Sequence, residues 1–338
     1  MTHYPENNVL RQIWQFLYEG VNRANYMEEN KANIDFEGKE AMYGEVYLLR
    51  AYYYFELVKF FGDVPLFTEA RLTAGQAGTL TRTPKDEVYA QIELDLQNAI
   101  ASLPNSQSQV GRVNKYTAYA LLGKVLLYQD KFAEAASALD NVIGVYSLVS
   151  DYGSQFLRFG ENGPESVFEI QYSNQSNWYD WGCAHCSEGN YAIIMNGPRG
   201  WSGPEYAQGW SFNVPTEEFY NSFEEGDSRR DATVLDIEAF AAATGASYTE
   251  GYDHTGYFNN KYIPRAGESG GQTELNYLTN FRIIRYSDVL LMAAEAYNRG
   301  GIDDGLAQEF LNQVRRRAFG GDDNDISASG SALTDAIW

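Results

Sequence analysis

The chain has 338 residues, of which 44% are hydrophobic, so it is long enough for a substantial core and its composition excludes disorder over the whole length. It carries 46 acidic and 25 basic side chains, a formal net charge of -21. This charge excludes nucleic acid as an expected partner, because phosphate binding depends on Lys and Arg, and it favours a neutral ligand over a polyanionic one.

The first 150 residues have the spacing of helices that bury one face. Residues 8–26 repeat apolar and aromatic side chains at helical intervals, and so do residues 38–61. The second of these helices is expected to stop at Gly62, because glycine ends helices readily and Pro65 cannot continue one. Together these patterns predict two long amphipathic helices.

A third helix is expected to open at Thr83, as N-cap, with Pro84 in its first position, and to end before Pro104. Residues 116–143 then place aromatic, Leu-Gly and small side chains where a tetratricopeptide repeat needs them. Small residues let two antiparallel helices approach closely. A generic helical hairpin is the alternative interpretation of the same spacing.

The composition of the sequence and the spacing of its apolar residues change after residue 150. Residues 165–172 alternate apolar and polar side chains as a half-buried strand does, and the following stretch to about 280 is rich in Gly, Asn, Ser, Tyr and Trp. Helical spacing returns over residues 281–301 and 305–317. The sequence therefore predicts one mainly α-helical protein in three segments: a tetratricopeptide-like scaffold over 1–150, a loop-rich ligand-binding insert with a few short strands over 151–280, and a returning helical scaffold over 281–338.

Three separated motifs carry a family resemblance. They are LLRAYYYFELVKFFGDVPLF at 48–67, FNVPTEEFYNSFEEGDSRRDATVL at 212–235 and RYSDVLLMAAEAYNRGG at 285–301. In this order they resemble the SusD/RagB (starch-utilisation-system D) family of nutrient-binding lipoproteins. The resemblance implies tetratricopeptide-like helix pairs that cradle a loop-rich capping region, and no catalysis.

The same resemblance implies a location and a partner. Family members are held on the outer face of an outer membrane by a lipid anchor and deliver oligosaccharides, or peptides in some members, to a TonB-dependent (SusC-like) transporter. Compared with the family pattern, this chain is expected to be truncated at both ends. It begins without a signal peptide or a lipidated cysteine and stops before a further helix.

A neutral sugar presents an apolar C–H face and a rim of hydroxyls, which proteins meet with exposed aromatic rings and a few polar groups. The loop SNQSNWYDWGCAHCSEGNY at 173–191 has this composition. Its predicted ligand-binding residues are Asn177, Trp178, Tyr179, Asp180 and Trp181. The alternative is that one tryptophan packs the loop onto the scaffold.

Two further loops carry aromatic residues in polar, glycine-rich surroundings. In the first, Trp201, Arg199 and Tyr206 are candidate ligand contacts, whereas Trp210 lies near a family motif and is expected to be structural. The second loop carries Tyr252, His254 and Tyr257 and is a weaker candidate.

The two cysteines, Cys183 and Cys186, lie beside the predicted tryptophan loop with His185 between them. Outside the cell a small disulfide staple is chemically favoured, and it would stiffen the loop. A reduced pair and a metal site are the alternatives, although a structural zinc site needs a fourth ligand. We expect no metal, no cofactor and no catalytic residue.

The sequence thus predicts capture of a neutral polysaccharide or oligosaccharide by aromatic stacking. The acidic charge and the tryptophans favour a β-glucan such as laminarin. Uptake or scaffolding of peptides or proteins is the alternative function, because tetratricopeptide pairs often bind peptides. A glycoside hydrolase would need two carboxylates at a defined separation, and no motif indicates such a pair.

Overall fold

The computed structural model describes residues 7–175, 186–268 and 275–338. Helices dominate these ranges and the strands are short, which confirms the predicted mainly α-helical class. The α-helices are α1 Asn8–Asn30, α2 Lys39–Phe61, α3 Ala74–Ala77, α4 Lys85–Ser102, α5 Lys115–Leu127, α6 Phe132–Asp140, α7 Ala192–Asn196, α8 Glu217–Asn221, α9 Arg229–Thr233, α10 Ile237–Thr244, α11 Tyr286–Arg299, α12 Asp304–Phe319 and α13 Ser331–Ile337.

Six short strands form three antiparallel pairs in the described part of the chain. Strand β1 pairs with β6, β2 with β4, and β3 with β5. The strands are β1 Ser166–Ile170, β2 Arg199–Ser202, β3 Val234–Asp236, β4 Ser247–Thr249, β5 Tyr257–Asn259 and β6 Phe281–Arg285.

The chain divides into two compact units. The helical unit comprises Met1–Val145 and Met292–Ala307, and the mixed unit comprises Tyr146–Leu291 and Gln308–Trp338. Among the described residues, no helix is both long enough and apolar enough to cross a bilayer.

The helical unit is organised by α2, which packs against α1 and α4. Helix α2 ends where the sequence predicts, because Gly62 takes a positive φ of 66° that other residues rarely adopt. Its buried face includes Tyr54, Phe55 and Leu57.

The start of α4 differs from the prediction by one residue. The helix begins at Lys85, so Pro84 stands at the N-cap position and Thr83 lies before it. Pro84 has no side-chain cap, and the backbone N–H of Lys85 donates instead to the Asp63 carboxylate at 2.8 Å. A residue 22 positions away in the sequence thus supplies the cap.

The pair α5 and α6 has the close approach expected of a tetratricopeptide-like hairpin. A Cβ atom at Gly123 would lie 2.5 Å from Leu139 Cγ, so glycine is needed where the helices meet. Ala135, Ala138 and Ala296 are buried in the same apolar cluster. The small residues in the sequence therefore serve helix packing.

The mixed unit contains one clear departure from the helical prediction. Residues 281–285, expected to begin a helix, form β6 and pair with β1. The helix starts only at Tyr286, whose N–H donates to the Glu165 carbonyl at 2.8 Å. The short piece Phe-Arg-Ile-Ile-Arg suits a strand because β1 offers it a partner from more than 100 residues away.

Candidate functional site

The structure describes the two ends of the predicted tryptophan loop, up to residue 175 and from residue 186. Asn177, Trp178, Tyr179, Asp180 and Trp181 lie outside the described residues, as do Cys183 and His185. Cys186 is described and is disulfide-bonded, and the sequence contains one other cysteine. The flanking residues show how the mixed unit holds the loop at both ends.

Hydrogen bonds tie the two ends of the loop together and to a neighbouring segment. The N–H of Ser173 donates to the Glu188 carbonyl at 2.9 Å. This bond joins the segment before the loop to the segment after it. The Ser187 hydroxyl donates to Asn276 Oδ1 at 2.7 Å. Asn190 continues the frame, since its N–H donates to the Tyr277 carbonyl at 2.7 Å. We call these six residues the loop frame.

Gly189 lies between the loop-frame residues Glu188 and Asn190, where its backbone approaches that of Leu275 and Asn276 closely. A Cβ atom there would lie 2.3 Å from both the Leu275 carbonyl oxygen and Asn276 Cα. Real contacts of this kind are not shorter than about 3 Å, so only glycine fits. The close approach of these two segments therefore depends on the absence of a side chain at Gly189.

Phenol rings surround the base of the loop. Burial raises the pKa of the Tyr172 hydroxyl to about 12, and the neighbouring Tyr191 and Tyr262 hydroxyls add to this shift. Tyr262 also contacts the exposed Phe281 ring, with centroids 5.1 Å apart. Sequence analysis missed these rings because they are spread over more than 100 residues.

Helix α7 follows the loop frame directly. Asn190 Oδ1 accepts a hydrogen bond from the N–H of Ala192 at 3.2 Å, which helps the helix to begin. Ile193 and Ile194 are buried beside Tyr277, and Trp210 packs against this cluster. Trp210 thus has the structural environment expected from the sequence.

Arg199 is exposed beside this cluster. Its Nε donates to the Trp210 carbonyl at 2.6 Å, and its guanidinium lies 5.5 Å from the centroid of Phe212. Phe212 is 48% exposed and meets Trp210 edge to face. Arg199 therefore presents a fixed cation next to an accessible ring. Phe212 was not among the sequence-based candidates, because it is the first residue of the 212–235 motif, which was used for the family resemblance.

Trp201 and Tyr206 lie in a separate apolar cluster with Phe240. The ring of Tyr206 is only 5% exposed, and its hydroxyl donates to Asn260 Oδ1 at 3.2 Å. Trp201 is half-buried and meets both Tyr206 and Phe240 at 5.9 Å between centroids. Tyr206 is a buried residue, since Trp201 and Phe240 pack against its ring and the Arg265 guanidinium lies 5.3 Å from its centroid.

The weaker third loop is divided between solvent and packing. Tyr252 is 91% exposed, whereas Tyr257 stacks on Tyr220 with centroids 4.5 Å apart. His254 is half-buried against Tyr248 at 5.5 Å. The described contacts do not bring these three residues together as one surface.

Comparison with known proteins identifies the family of this chain. Residues 2–127 match the family described as "Starch-binding associating with outer membrane", and residues 236–337 match the SusD family. A solved "Laminarin binding SusD-like protein" is 36% identical, with a TM-score of 0.86 over 96% of this chain and 73% of its own. The chain belongs to the SusD/RagB family.

Two further relatives are similar over most of this chain. "SusD-like protein P2" of Formosa agariphila is 31% identical over 93% of this chain and 63% of its own length. "Surface glycan-binding protein A from Bacteroides thetaiotaomicron in complex with laminarihexaose" is 29% identical, with a TM-score of 0.84 over 96% of this chain and 72% of its own. The chain spans 62–63% of the length of the curated relatives it matches.

Proposed function

We propose that this protein binds a neutral glycan without cleaving it, and that the glycan is a β-glucan such as laminarin. The observation that carries the proposal is the similarity to a laminarin-binding relative, at 36% identity over 96% of this chain. A second similar structure was solved with laminarihexaose bound.

The chemistry of the mixed unit supports a sugar ligand. The loop that contains Trp178 and Trp181 begins and ends at the loop frame, which is held by hydrogen bonds and lies near several tyrosine rings. Its indole rings stack on the C–H face of a pyranose, while Asn177, Asp180 and Tyr179 bond to the hydroxyls. Arg199 adds a donor beside the Phe212 ring.

The acidic composition supports a neutral rather than a polyanionic glycan. With a net charge of -21, a chain of sulfates or uronates would meet repulsion over much of the surface. A neutral glucan carries no such cost. Stacking and hydroxyl bonding also depend little on salt, since neither partner needs a charge.

The family assignment supports a surface location and a transporter partner. We propose that the whole protein is a lipid-anchored protein of the outer membrane that delivers the glycan to a TonB-dependent (SusC-like) transporter. This part of the proposal rests on family membership.

The test is isothermal titration of laminarihexaose into three variants of the chain. Trp178→Ala and Trp181→Ala should each weaken binding by at least about 10-fold, as expected for aromatic residues at the centre of an interface. Trp338→Ala is the matched control, because this tryptophan is 75% exposed and the same indole is removed elsewhere. Its affinity should equal that of the unchanged chain.

Two results would overturn the proposal. Equal affinity of all three variants would remove the tryptophan loop from the site. Saturable binding of an extended peptide with no response to any glucan would favour the peptide-binding alternative. Incubation with laminarin should release no reducing ends, whereas steady release would identify a hydrolase.

A further inference from the structure

The mixed unit contains a second concave surface that shares no lining residue with the loop frame or with the rings around it. This cleft encloses about 290 Å³. We call it the Lys261 cleft. It is lined by Tyr152, Phe219, Ser222, Phe223, Glu224, Asp227, Arg229, Thr233 and Lys261.

Both carboxylates of the cleft are already paired with arginines. Glu224 accepts hydrogen bonds from two Arg315 nitrogens at 2.8 and 3.0 Å. Asp227 accepts from Arg229 Nε at 2.9 Å and Nη2 at 2.6 Å. Two-pronged pairs of this kind hold a carboxylate in place. Neither acid is therefore the counter-ion of Lys261.

Lys261 is a half-buried cation without an acid of its own. In residues 7–175, 186–268 and 275–338, no carboxylate oxygen lies within 4.0 Å of its Nζ. The ammonium instead lies 5.3 Å from the Tyr152 ring centroid and 5.0 Å from that of Phe156, and it bonds to the Tyr152 hydroxyl. Aromatic rings stabilise such a cation but leave its charge uncompensated.

Three cations lie near the Tyr152 ring: Lys261, Arg285 and Arg317. Burial acts to raise its pKa, yet the pKa is lowered, because the charges of Lys261 and Arg285 favour the phenolate. Arg317 lies over the same ring at 5.0 Å. Arg285 and Arg317 share the Glu165 carboxylate, and Arg285 also pairs with Asp288, so in the described part of the chain Lys261 is the member of this group without a carboxylate. The base of the cleft therefore carries an uncompensated positive charge at Lys261, although the chain as a whole is strongly acidic.

An accessible ring borders this positive base. Phe219 is 47% exposed and meets Phe223 edge to face, with centroids 5.4 Å apart. Such a wall can pack against the apolar face of a ligand ring. The cleft thus combines a cation, a hydroxyl and an aromatic face at the scale of one sugar unit.

We propose that the Lys261 cleft binds a carboxylate borne on a saccharide ring, with Lys261 as its counter-ion and Phe219 as its apolar contact. A hexuronate unit has this chemistry. The distant acidic residues do not forbid it, because charges beyond about 8 Å are largely screened at physiological salt. The proposal goes beyond neutral-glucan binding and does not depend on it.

The first test compares methyl β-D-glucuronide with methyl β-D-glucoside on the unchanged chain, by ligand-observed NMR and titration. The two probes share a ring and differ in one carboxylate. The glucuronide should bind at least about 10-fold more tightly, since a charge-assisted bond is added. Its binding should weaken between about 0.05 M and about 0.5 M NaCl. Equal binding of the two probes would overturn the proposal, and so would acetate binding as tightly as the glucuronide.

The second test uses variants. Lys261→Met should lower glucuronide affinity by at least about 10-fold, whereas Lys261→Arg should keep it within about threefold. Phe219→Ala should weaken the glucuronide but not acetate. Laminarihexaose affinity should be unchanged in all three, which separates failure of this proposal from failure of glucan binding. Unchanged glucuronide affinity in Lys261→Met would overturn the proposal. If that variant does not fold, the comparison of probes on the unchanged chain still decides.

Discussion

Replacing Gly189 by alanine should disturb the loop frame without touching any predicted ligand contact. The added Cβ would lie 2.3 Å from the Leu275 carbonyl oxygen and from Asn276 Cα, where ordinary contacts begin at 3.4 Å. Both neighbours are backbone atoms, so one of the two segments must move by about 1 Å.

The added Cβ should lower the free energy of unfolding, because it overpacks the site. Forcing extra volume into a packed site costs about 1–3 kcal/mol, and we expect the upper end because no flexible side chain can give way. A shift of about 1 Å at the base of the loop should also weaken laminarihexaose binding by about 10-fold.

Thermal melts and titration of laminarihexaose would measure both effects. Gly321→Ala is the matched control in the same unit, because Gly321 has no positive φ and a Cβ there would meet nothing within 4 Å. Gly189→Ala with the midpoint and affinity of that control would refute the role of the loop frame.

The other predictions concern two ion pairs. In the helical unit, Arg50→Leu should destabilise by about 3–5 kcal/mol in denaturant titrations, because it removes the two 2.7 Å bonds to the buried Asp95 carboxylate and leaves that charge with the neutral Gln91 amide as a donor but no counter-ion. The double variant Arg50→Leu with Asp95→Leu should recover most of that loss, and no recovery would contradict the interpretation. In the mixed unit, hydrogen bonds from Arg315 lower the pKa of Glu224, so its stabilisation is present above about pH 4.3 and is lost as the pH falls through the lower folded pKa. Glu224→Gln should therefore cost less than about 1 kcal/mol at neutral pH, since Glu224 is half exposed, and progressively less as the pH falls below about 4.3; a difference that stays constant as the pH falls would argue against the pair.

The helical unit could be predicted largely from local pattern. The apolar spacing predicts α2, and Gly62 predicts where it ends, because a glycine at positive φ readily terminates a helix. The cap of α4 could not be predicted in this way, since Asp63 reaches it only in the folded chain.

Long-range pairing explains the misassigned strand. The sequence predicts Phe281–Arg285 as part of the helix that follows, because over so few positions the spacing of apolar residues suits a helix or a strand. Its pairing with β1 depends on residues far away in the sequence.

In the candidate site, too, local pattern predicts some features and long-range packing determines the others. A glycine-rich, aromatic stretch marked the region that carries the loop frame, but composition could not tell an open ring from a buried one. Tyr206 was a candidate ligand contact and is packed against Trp201 and Phe240, whereas Phe212 was not a candidate and is exposed. Cooperative packing decides these cases, and a single sequence does not record it.

The most direct measurement is a titration of the unchanged chain with three neutral hexasaccharides that differ only in linkage: laminarihexaose, cellohexaose and maltohexaose. Saturable binding of laminarihexaose, insensitive to added salt, is the predicted result. The absence of binding to all three would contradict the claim that this protein captures a neutral glucan.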